Sequence, residues 1–590
     1  MQNNEGAKRY GVHGTVSGLH ESLQLYVEAQ YHIRDEGLVA ERTALLQEPK
    51  VIAQRAFVEA TPVYAYGKQY KSLAIPEKAR TVLAEITSVS DSSGLYPTPY
   101  QHQADALEAF LGSERSELVI ATGTGSGKTE SFLMPVVATL AMESAERIGS
   151  RSLPGCRALL LYPMNALVND QVARIRRLLG NTRVNSIVSA GRDRPVRFGS
   201  YTGRTPYPGP RTSSRDGTRI APLFDDFYNP IELRPELKAK LQSLGRWPSK
   251  DLVGFYNANV AVEKVYKGTA KRAGQSYTDW NWKYRLQTQP GDRELMTRHE
   301  MQTSCPDVLV TNYSMLEYML MRPIESSIFD QTSKWLAADE RNELILVLDE
   351  AHMYRGAGGA EVALLIRRLI ARLGIPRSRV RCILTSASLG EGVNAIADAE
   401  KFALDLTGSS DSDGPSRFRV VRGTLEPRPG GQYANEMEVA TLSQFRVDYF
   451  GGIGNGSPEA MDEVKRLALG LGWPSPPIGY EGMQDYLFTQ LSSSPLVDLL
   501  IKHVSGKATA LDVLTKLLCP NHPPDIAARA TDSLLALCSH AKRQRDGRVL
   551  VPTRLHLFHK DCRALVRCEP LGALGVCASI KPRQSSVEKV

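Results

Sequence analysis

Ala121-Thr122-Gly123-Thr124-Gly125-Ser126-Gly127-Lys128-Thr129 stands between a short apolar run at 118–120 and an apolar-periodic stretch at 131–142. Strand, glycine loop and helix in that order form the setting of a phosphate-binding loop. Glycines let backbone N–H groups curl around phosphates at a helix N-terminus. Lys128 then reaches the β- and γ-phosphates, and the Thr129 hydroxyl is placed to ligate Mg²⁺. The first glycine of the general pattern is replaced by Thr122, while Gly123, Gly125 and Gly127 remain. The loop therefore reads as a variant that binds ATP with Mg²⁺ through residues 122–129.

Short apolar runs continue outward from this loop. Those at 118–121, 158–161, 308–310, 344–348 and 383–384 alternate with amphipathic stretches. That rhythm predicts an α/β fold with a parallel sheet flanked by helices over 96–408. Residues 205–300 read as insertions lying off the sheet, among them the Pro/Gly-rich 205–219 and the stretch 268–298. Residues 1–95 read as an N-terminal accessory region, with helices at 23–33, 38–46 and 75–86 and an extended piece at 58–66. A polar linker and connecting segment covers 409–430. A mainly helical region follows at 431–580, with helical spacing at 460–471, 483–503, 508–518 and 526–542. A polar, disordered tail is expected at 581–590.

Asp349-Glu350-Ala351-His352 follows the apolar run at 344–348, so its carboxylates sit at the C-terminal end of a strand. Acids in that position also serve as helix caps. Joined to the phosphate loop, they become the second half of one site: Asp349 holds Mg²⁺ together with Thr129, and Glu350 polarises the attacking water.

Composition bounds the alternatives. The chain has 590 residues, 42% hydrophobic and 23% charged, with a net charge of +8, an ordinary globular profile of about three to four domains. No apolar run approaches the ~18 residues of a membrane span, and the opening residues lack the core of a signal peptide. Eight cysteines without short regular spacing exclude a disulfide framework and point to a reducing cytoplasm. The positive charge is concentrated. Between Arg174 and Arg219 there are eleven Arg, no Lys and two acids. An Arg-only excess suits bidentate recognition of phosphate. A solvated helix face followed by a loop fits it as well.

Taken together, these motifs resemble the first RecA-like lobe of the superfamily-2 DExH/DEAD-box helicases, over about 96–389. His102-Gln103 after Tyr100 resembles the Q motif, which implies that Gln103 recognises adenine; a helix-capping glutamine is the other reading. Tyr162-Pro163-Met164-Asn165-Ala166-Leu167 resembles motif Ia, and Pro306 to Leu316, with Thr311-Asn312 at its centre, resembles the Ib region. The resemblance implies that Pro163, Asn165, Ala166, Thr311 and Asn312 grip a nucleic acid strand. Thr385-Ser386-Ala387-Ser388 resembles motif III, which implies that His352, Ser386 and Ser388 couple nucleotide state to that grip. The surroundings of the acidic motif, Tyr354-Arg355-Gly356 onward, with Tyr201-Thr202-Gly203-Arg204-Thr205 upstream, are similar to the Lhr-like and YprA-like large helicases. These add Gly203 and Arg204 to the implied grip. That branch often carries a C-terminal DUF1998 region and includes DNA-repair helicases and helicases of phage-defence systems such as Druantia and DISARM. By the resemblance, the substrate is DNA, single-stranded or partly duplex, with 3′-to-5′ movement.

The chain departs from that family in one respect. A motor needs a second RecA-like lobe to supply an arginine finger, and no second α/β rhythm is visible. Gln544-Arg545-Asp546-Gly547-Arg548 is the nearest approach to motif VI, but Val551 stands where a later arginine belongs. Residues 551–558 instead resemble the segment that leads into a cysteine cluster and the second lobe of the large helicases. The expectation is the front half of a larger or split motor, with a second polypeptide carrying the other lobe as partner. A nucleotide-dependent DNA-binding module without turnover, or a remnant of a larger helicase, are the alternatives. Cys519, Cys538, Cys562, Cys568 and Cys577, with His522, His540, His556 and His559, offer zinc ligands, but none of the spacings is C-x-x-C. Buried thiols and surface histidines are the other reading. Tyr277, Trp280, Trp282 and Tyr284, beside Lys283 and Arg285, either stack on bases or pack an insertion onto the lobe.

Overall fold

The computed structural model describes residues 11–30, 33–48, 51–52, 54–61, 63–89, 95–123, 125–207, 209–256, 261–265, 274–280, 286–386, 394–408, 417–428, 430–449, 458–477, 480–544 and 547–557. Among them are thirteen strands: β1 (Phe57–Ala60), β2 (Glu117–Ala121), β3 (Ala158–Tyr162), β4 (Phe198–Tyr201), β5 (Ala261–Val265), β6 (Ser276–Trp280), β7 (Glu294–Leu295), β8 (Val308–Asn312), β9 (Leu344–Leu348), β10 (Val380–Ser386), β11 (Phe418–Arg422), β12 (Thr509–Ala510) and β13 (Thr553–His556). They fall into two compact units. Tyr64–Leu425 forms one, and the residues before and after it form the other.

The larger unit is built on an eight-stranded parallel sheet in the order β11-β2-β10-β9-β3-β8-β4-β7. Its central strands read as unbroken apolar runs because both faces are covered. Leu118, Ile120, Leu160, Val310 and Val347 pack on one face with the helices Gln101–Leu111 and Lys128–Glu146. Leu159, Leu161, Leu309, Leu346 and Leu384 pack on the other with the helices Ser326–Ala338 and Gly356–Leu373. Burying each such side chain contributes about 1.5–3 kcal/mol. All five predicted strands are present. Within the predicted insertion, Tyr207, Ile220, Phe224, Trp247, Leu252, Phe255 and Leu286 form a separate small core.

The boundaries differ from those expected. Residues 64–89 and β11 belong to the sheet unit, because β11 pairs with β2 along its whole length and the helix Glu77–Ser88 buries Val82, Leu83 and Ile86. The region 1–95 is therefore not one accessory region, and the connecting segment 409–430 contains an edge strand of the sheet. The second unit has a mainly helical body around an antiparallel sheet, β12-β1-β13. The helix expected at 483–503 is two, Tyr480–Ser492 and Pro495–Val504, since Pro495 opens the second at its first position.

The arginine run also proves to be partly internal. Arg192 and Arg194 pair with Asp307 at 2.9 and 2.6 Å, and Arg192 and Arg157 reach Glu143 at 2.8 and 3.0 Å. Asp307 and Glu143 are fully buried, and Trp335 Nε1 donates to Glu143 at 2.7 Å. Arg176 grips Glu294 and Arg211 grips Asp216. Phosphate recognition is thus not the use of these five, Arg157 lying before the run; four members of the run serve as internal ties instead. Burial alone would raise the Asp307 carboxyl, but Arg194, Arg192 and Arg157 outweigh it and hold the group far below its ordinary range.

In the second unit Arg548 pairs with Glu426 at 2.7 Å and Val551 is core, while Arg545 and Asp546 lie outside the described residues. Among the described residues no cluster of His, Cys, Asp and Glu could hold a metal ion; Cys562, Cys568, Cys577 and His559 lie outside them. Trp282, Lys283, Tyr284 and Arg285 do so too, and Tyr277 and Trp280 are on β6.

Candidate functional site

In a parallel sheet the loops after the strands gather along one edge, where ligands bind. Residues 122–127 follow β2, Pro163 follows β3, Thr202–Arg204 follow β4, Asn312 ends β8, Asp349 follows β9 and Ser386 ends β10. The sequence motifs therefore share the C-terminal edge of one sheet.

The phosphate loop is braced from several sides. Gly127, at φ 74°, precedes the helix beginning at Lys128, and a Cβ there would fall 2.4 Å from Gln103 Nε2. Only glycine fits both demands. Thr122, which replaces the first glycine of the general pattern, is buried and accepts a 2.7 Å hydrogen bond from Ser126 Oγ across the loop. Gln103 is buried; its Oε1 accepts from Tyr100 N at 2.9 Å and its Nε2 donates to the Gly127 carbonyl at 3.1 Å. It thus caps its own helix and holds the loop. Burial keeps the His102 imidazole below its usual pKa, and Nε2 donates to the Ser126 carbonyl at 2.9 Å. Tyr100 stacks on His102 at 5.7 Å, and Tyr64 and Tyr66, which lie outside any sequence motif, pack nearby. Thr124 lies outside the described residues.

Opposite the loop, Lys128 Nζ is 3.4 Å from Glu350 Oε1. Glu350 has φ 51°, a left-handed conformation that costs a non-glycine residue about 1–3 kcal/mol and turns its carboxylate toward the loop's lysine. Asp349 is buried, and burial raises its pKa. The Thr385 hydroxyl donates to Asp349 Oδ1 and accepts from Glu350 N at 3.3 Å, a role that the sequence reading did not give it. His352 Nδ1 lies 3.3 Å from Glu350 Oε2 and 3.4 Å from Ser386 Oγ, and the Ser386 carbonyl accepts from Thr122 N. Acidic motif, phosphate loop and the end of β10 are thereby bonded to one another. Ser388 lies outside the described residues.

Four buried polar atoms around this centre have no hydrogen-bond partner among the described residues: Gln171 Oε1, Glu350 Oε2 and the hydroxyls of Tyr162 and Tyr354. With the hard oxygen donors of Thr129 and Asp349 beside them, they fit a hydrated divalent cation such as Mg²⁺.

The loops expected to grip a strand are joined to one another. Asn312 Nδ2 donates to Asn165 Oδ1 at 2.6 Å, while Asn312 Oδ1 caps the helix Tyr313–Met321. Thr311 is fully buried and donates to the Tyr201 carbonyl, so it fixes the loop after β4 from below and does not reach the surface. Ala166, Gly203 and Arg204 are exposed, and Pro163 and Asn165 are half-buried.

Residues 100–200, from the Tyr100 cap through the phosphate loop to β4, match the family model of the DEAD/DEAH box helicase. Over that stretch the chain is similar to the DEAD/DEAH box helicases. It is also 55% identical, over 569 residues, to the Druantia protein DruE of Escherichia coli; the match covers 96% of this chain and 31% of that protein. The chain thus spans about a third of the length of that relative. Among solved structures it is similar to the DUF1998 helicase MrfA bound to DNA (15% identity, 74% of this chain and 44% of that one, TM-score 0.33). It is similar too to the Mycobacterium smegmatis helicase Lhr bound to ssDNA and AMP-PNP (16%, 69% and 38%, TM-score 0.32).

Proposed function

We propose that this helicase domain binds ATP with Mg²⁺ on residues 122–129 and Asp349, grips a DNA strand with the loops after β3, β4 and β8, and hydrolyses ATP when a second RecA-like lobe completes the site. The observation that carries this reading is the run of hydrogen bonds along one sheet edge from Ser126 and Thr122 through Ser386 to His352, whose ring lies 3.3 Å from the Glu350 carboxylate.

The division of labour follows from the side chains. Lys128 and the backbone N–H groups at the start of its helix neutralise and cradle phosphate oxygens. Thr129 and Asp349 hold the cation, which supplies Lewis-acid stabilisation of charge on the phosphates. Glu350, held by Lys128 on one oxygen, orients and polarises water with the other. His352 and Ser386 relay what happens there to β10. Gln103, Tyr66 and Tyr100 offer an amide and an aromatic face for the base. Exposed Arg204 offers charge to a strand's phosphates.

The second lobe lies on the same or on a separate polypeptide. The likeness to DruE supports placing the chain in a Druantia-type system. The five described cysteines, all free and buried, suit a reducing cytoplasm, and among the described residues no helix is long and apolar enough to cross a membrane. The direct test is equilibrium binding of a fluorescent ATP analogue to the 590-residue chain and to Lys128→Ala. Saturable binding that Lys128→Ala abolishes is expected; equal binding by both would overturn the reading.

A further inference from the structure

Helix Asn165–Leu178 presents Gln171 to the phosphate loop, where its Nε2 donates to Thr129 Oγ1 at 2.9 Å. Gln171 is 5% exposed and Thr129 7%. The other end of the amide, Oε1, is buried and has no hydrogen-bond partner among the described residues. A buried carbonyl left without a donor is unfavourable, which favours an arrangement in which it accepts a proton. Half a turn about the terminal side-chain bond exchanges the two ends of the amide.

The chemistry of Thr129 says when that exchange is favoured. A hydroxyl that gives a lone pair to a cation becomes a poorer acceptor for an N–H pointed at the same oxygen, and its proton becomes a stronger donor. That proton needs an acceptor. We propose that Gln171 is a positioning residue for the Mg²⁺ site: with the cation present its Oε1 accepts the Thr129 proton, which aims the hydroxyl lone pair at the metal.

The position of Gln171 makes it more than a local prop. Its helix begins at Asn165, whose Oδ1 is held by Asn312. Thr129, Gln171, Asn165 and Asn312 therefore form one connected series, from the phosphate loop to two of the loops proposed to grip DNA. This inference rests on the nucleotide-site reading above.

The test compares ADP affinity in Mg²⁺ and in EDTA for the full chain, Gln171→Met and Gln171→Glu, with thermal melting as a check on folding. Methionine keeps the length and removes both polar ends, whereas glutamate keeps only acceptors. The magnesium enhancement should fall about tenfold in Gln171→Met, with EDTA affinity unchanged. Gln171→Glu should retain the enhancement. A prop that merely fills space would move both affinities together and would not be rescued by glutamate. An unchanged enhancement in Gln171→Met, or its loss in Gln171→Glu as well, overturns the assignment of Gln171 alone. Absence of any magnesium enhancement in the unmodified chain overturns the nucleotide-site reading, and this inference with it.

Discussion

Glu350 and Lys128 face each other at 3.4 Å across the centre of the site, and their substitutions separate binding from chemistry. Lys128→Ala removes the charge proposed to hold the phosphates. Glu350→Gln keeps shape and hydrogen-bonding length but removes the carboxylate proposed to polarise water. In Glu350→Gln, nucleotide affinity should stay within about twofold while single-turnover hydrolysis, measured with the second lobe present, falls ~10²–10⁴-fold, the range typical of a lost acid–base group. Preserved turnover would remove Glu350 from that role. Thr385 is the neighbour whose part was hidden in the sequence. Its hydroxyl joins Asp349 to the backbone of Glu350, and Thr385→Val should weaken magnesium dependence of nucleotide binding while leaving the sheet intact. Isothermal titration at several Mg²⁺ concentrations would show it; unchanged dependence would mean that Asp349 is held well enough without it.

At the scale of elements, the acid-sensitive tie lies at the opposite edge of the sheet from the site. Asp307 precedes β8, and Arg192 and Arg194 precede β4, so their pairing locks the N-terminal ends of neighbouring strands. The folded carboxyl is held well below its unfolded value of ~3.9. A depressed carboxylate contributes stability that is complete above the unfolded value and declines as the pH falls through and below it. Asp307→Asn, which leaves buried guanidinium charge uncompensated, should lose about 3–5 kcal/mol at pH 7. The difference from the parent should narrow below about pH 4. Urea melts across pH would check this, and a pH-independent difference would contradict it.

The same elements show what could be read before the structure. The central strands were legible as apolar runs because a parallel sheet covered on both faces leaves no polar alternation. β4, β7 and β11 were not: Phe-Gly-Ser-Tyr is broken by glycine, β7 has two residues, and Phe-Arg-Val-Val-Arg carries an arginine at each end of its apolar pair. The arginine run misled for a different reason. Glu143, Glu294 and Asp307 are distant in sequence from the guanidinium groups they hold, so local charge counted as surface what the fold uses inside. Gln171 was silent for the same reason, its partner Thr129 lying 42 residues away. That Lys128, Asp349 and Glu350 come together was readable because glycine loop and strand-end acids are local signals with one common setting.

For the whole molecule, the central claim is that nucleotide and DNA act on one sheet edge and therefore influence each other. A coupling between two ligands is reciprocal and typically amounts to 5–150-fold in affinity. Asn312→Ala, which frees Asn165 and uncaps the helix Tyr313–Met321, should reduce single-stranded DNA affinity by about tenfold with nucleotide affinity unchanged, as filter binding would report. Equal loss of both would point to damaged folding instead. The most direct measurement is the affinity of the 590-residue chain for a fluorescent single-stranded oligonucleotide, with and without Mg²⁺ and AMP-PNP, using Lys128→Ala as the comparison. DNA affinity should shift at least fivefold on adding nucleotide and stay constant in Lys128→Ala. Identical DNA affinity in both conditions, or no DNA binding at all, would contradict the account.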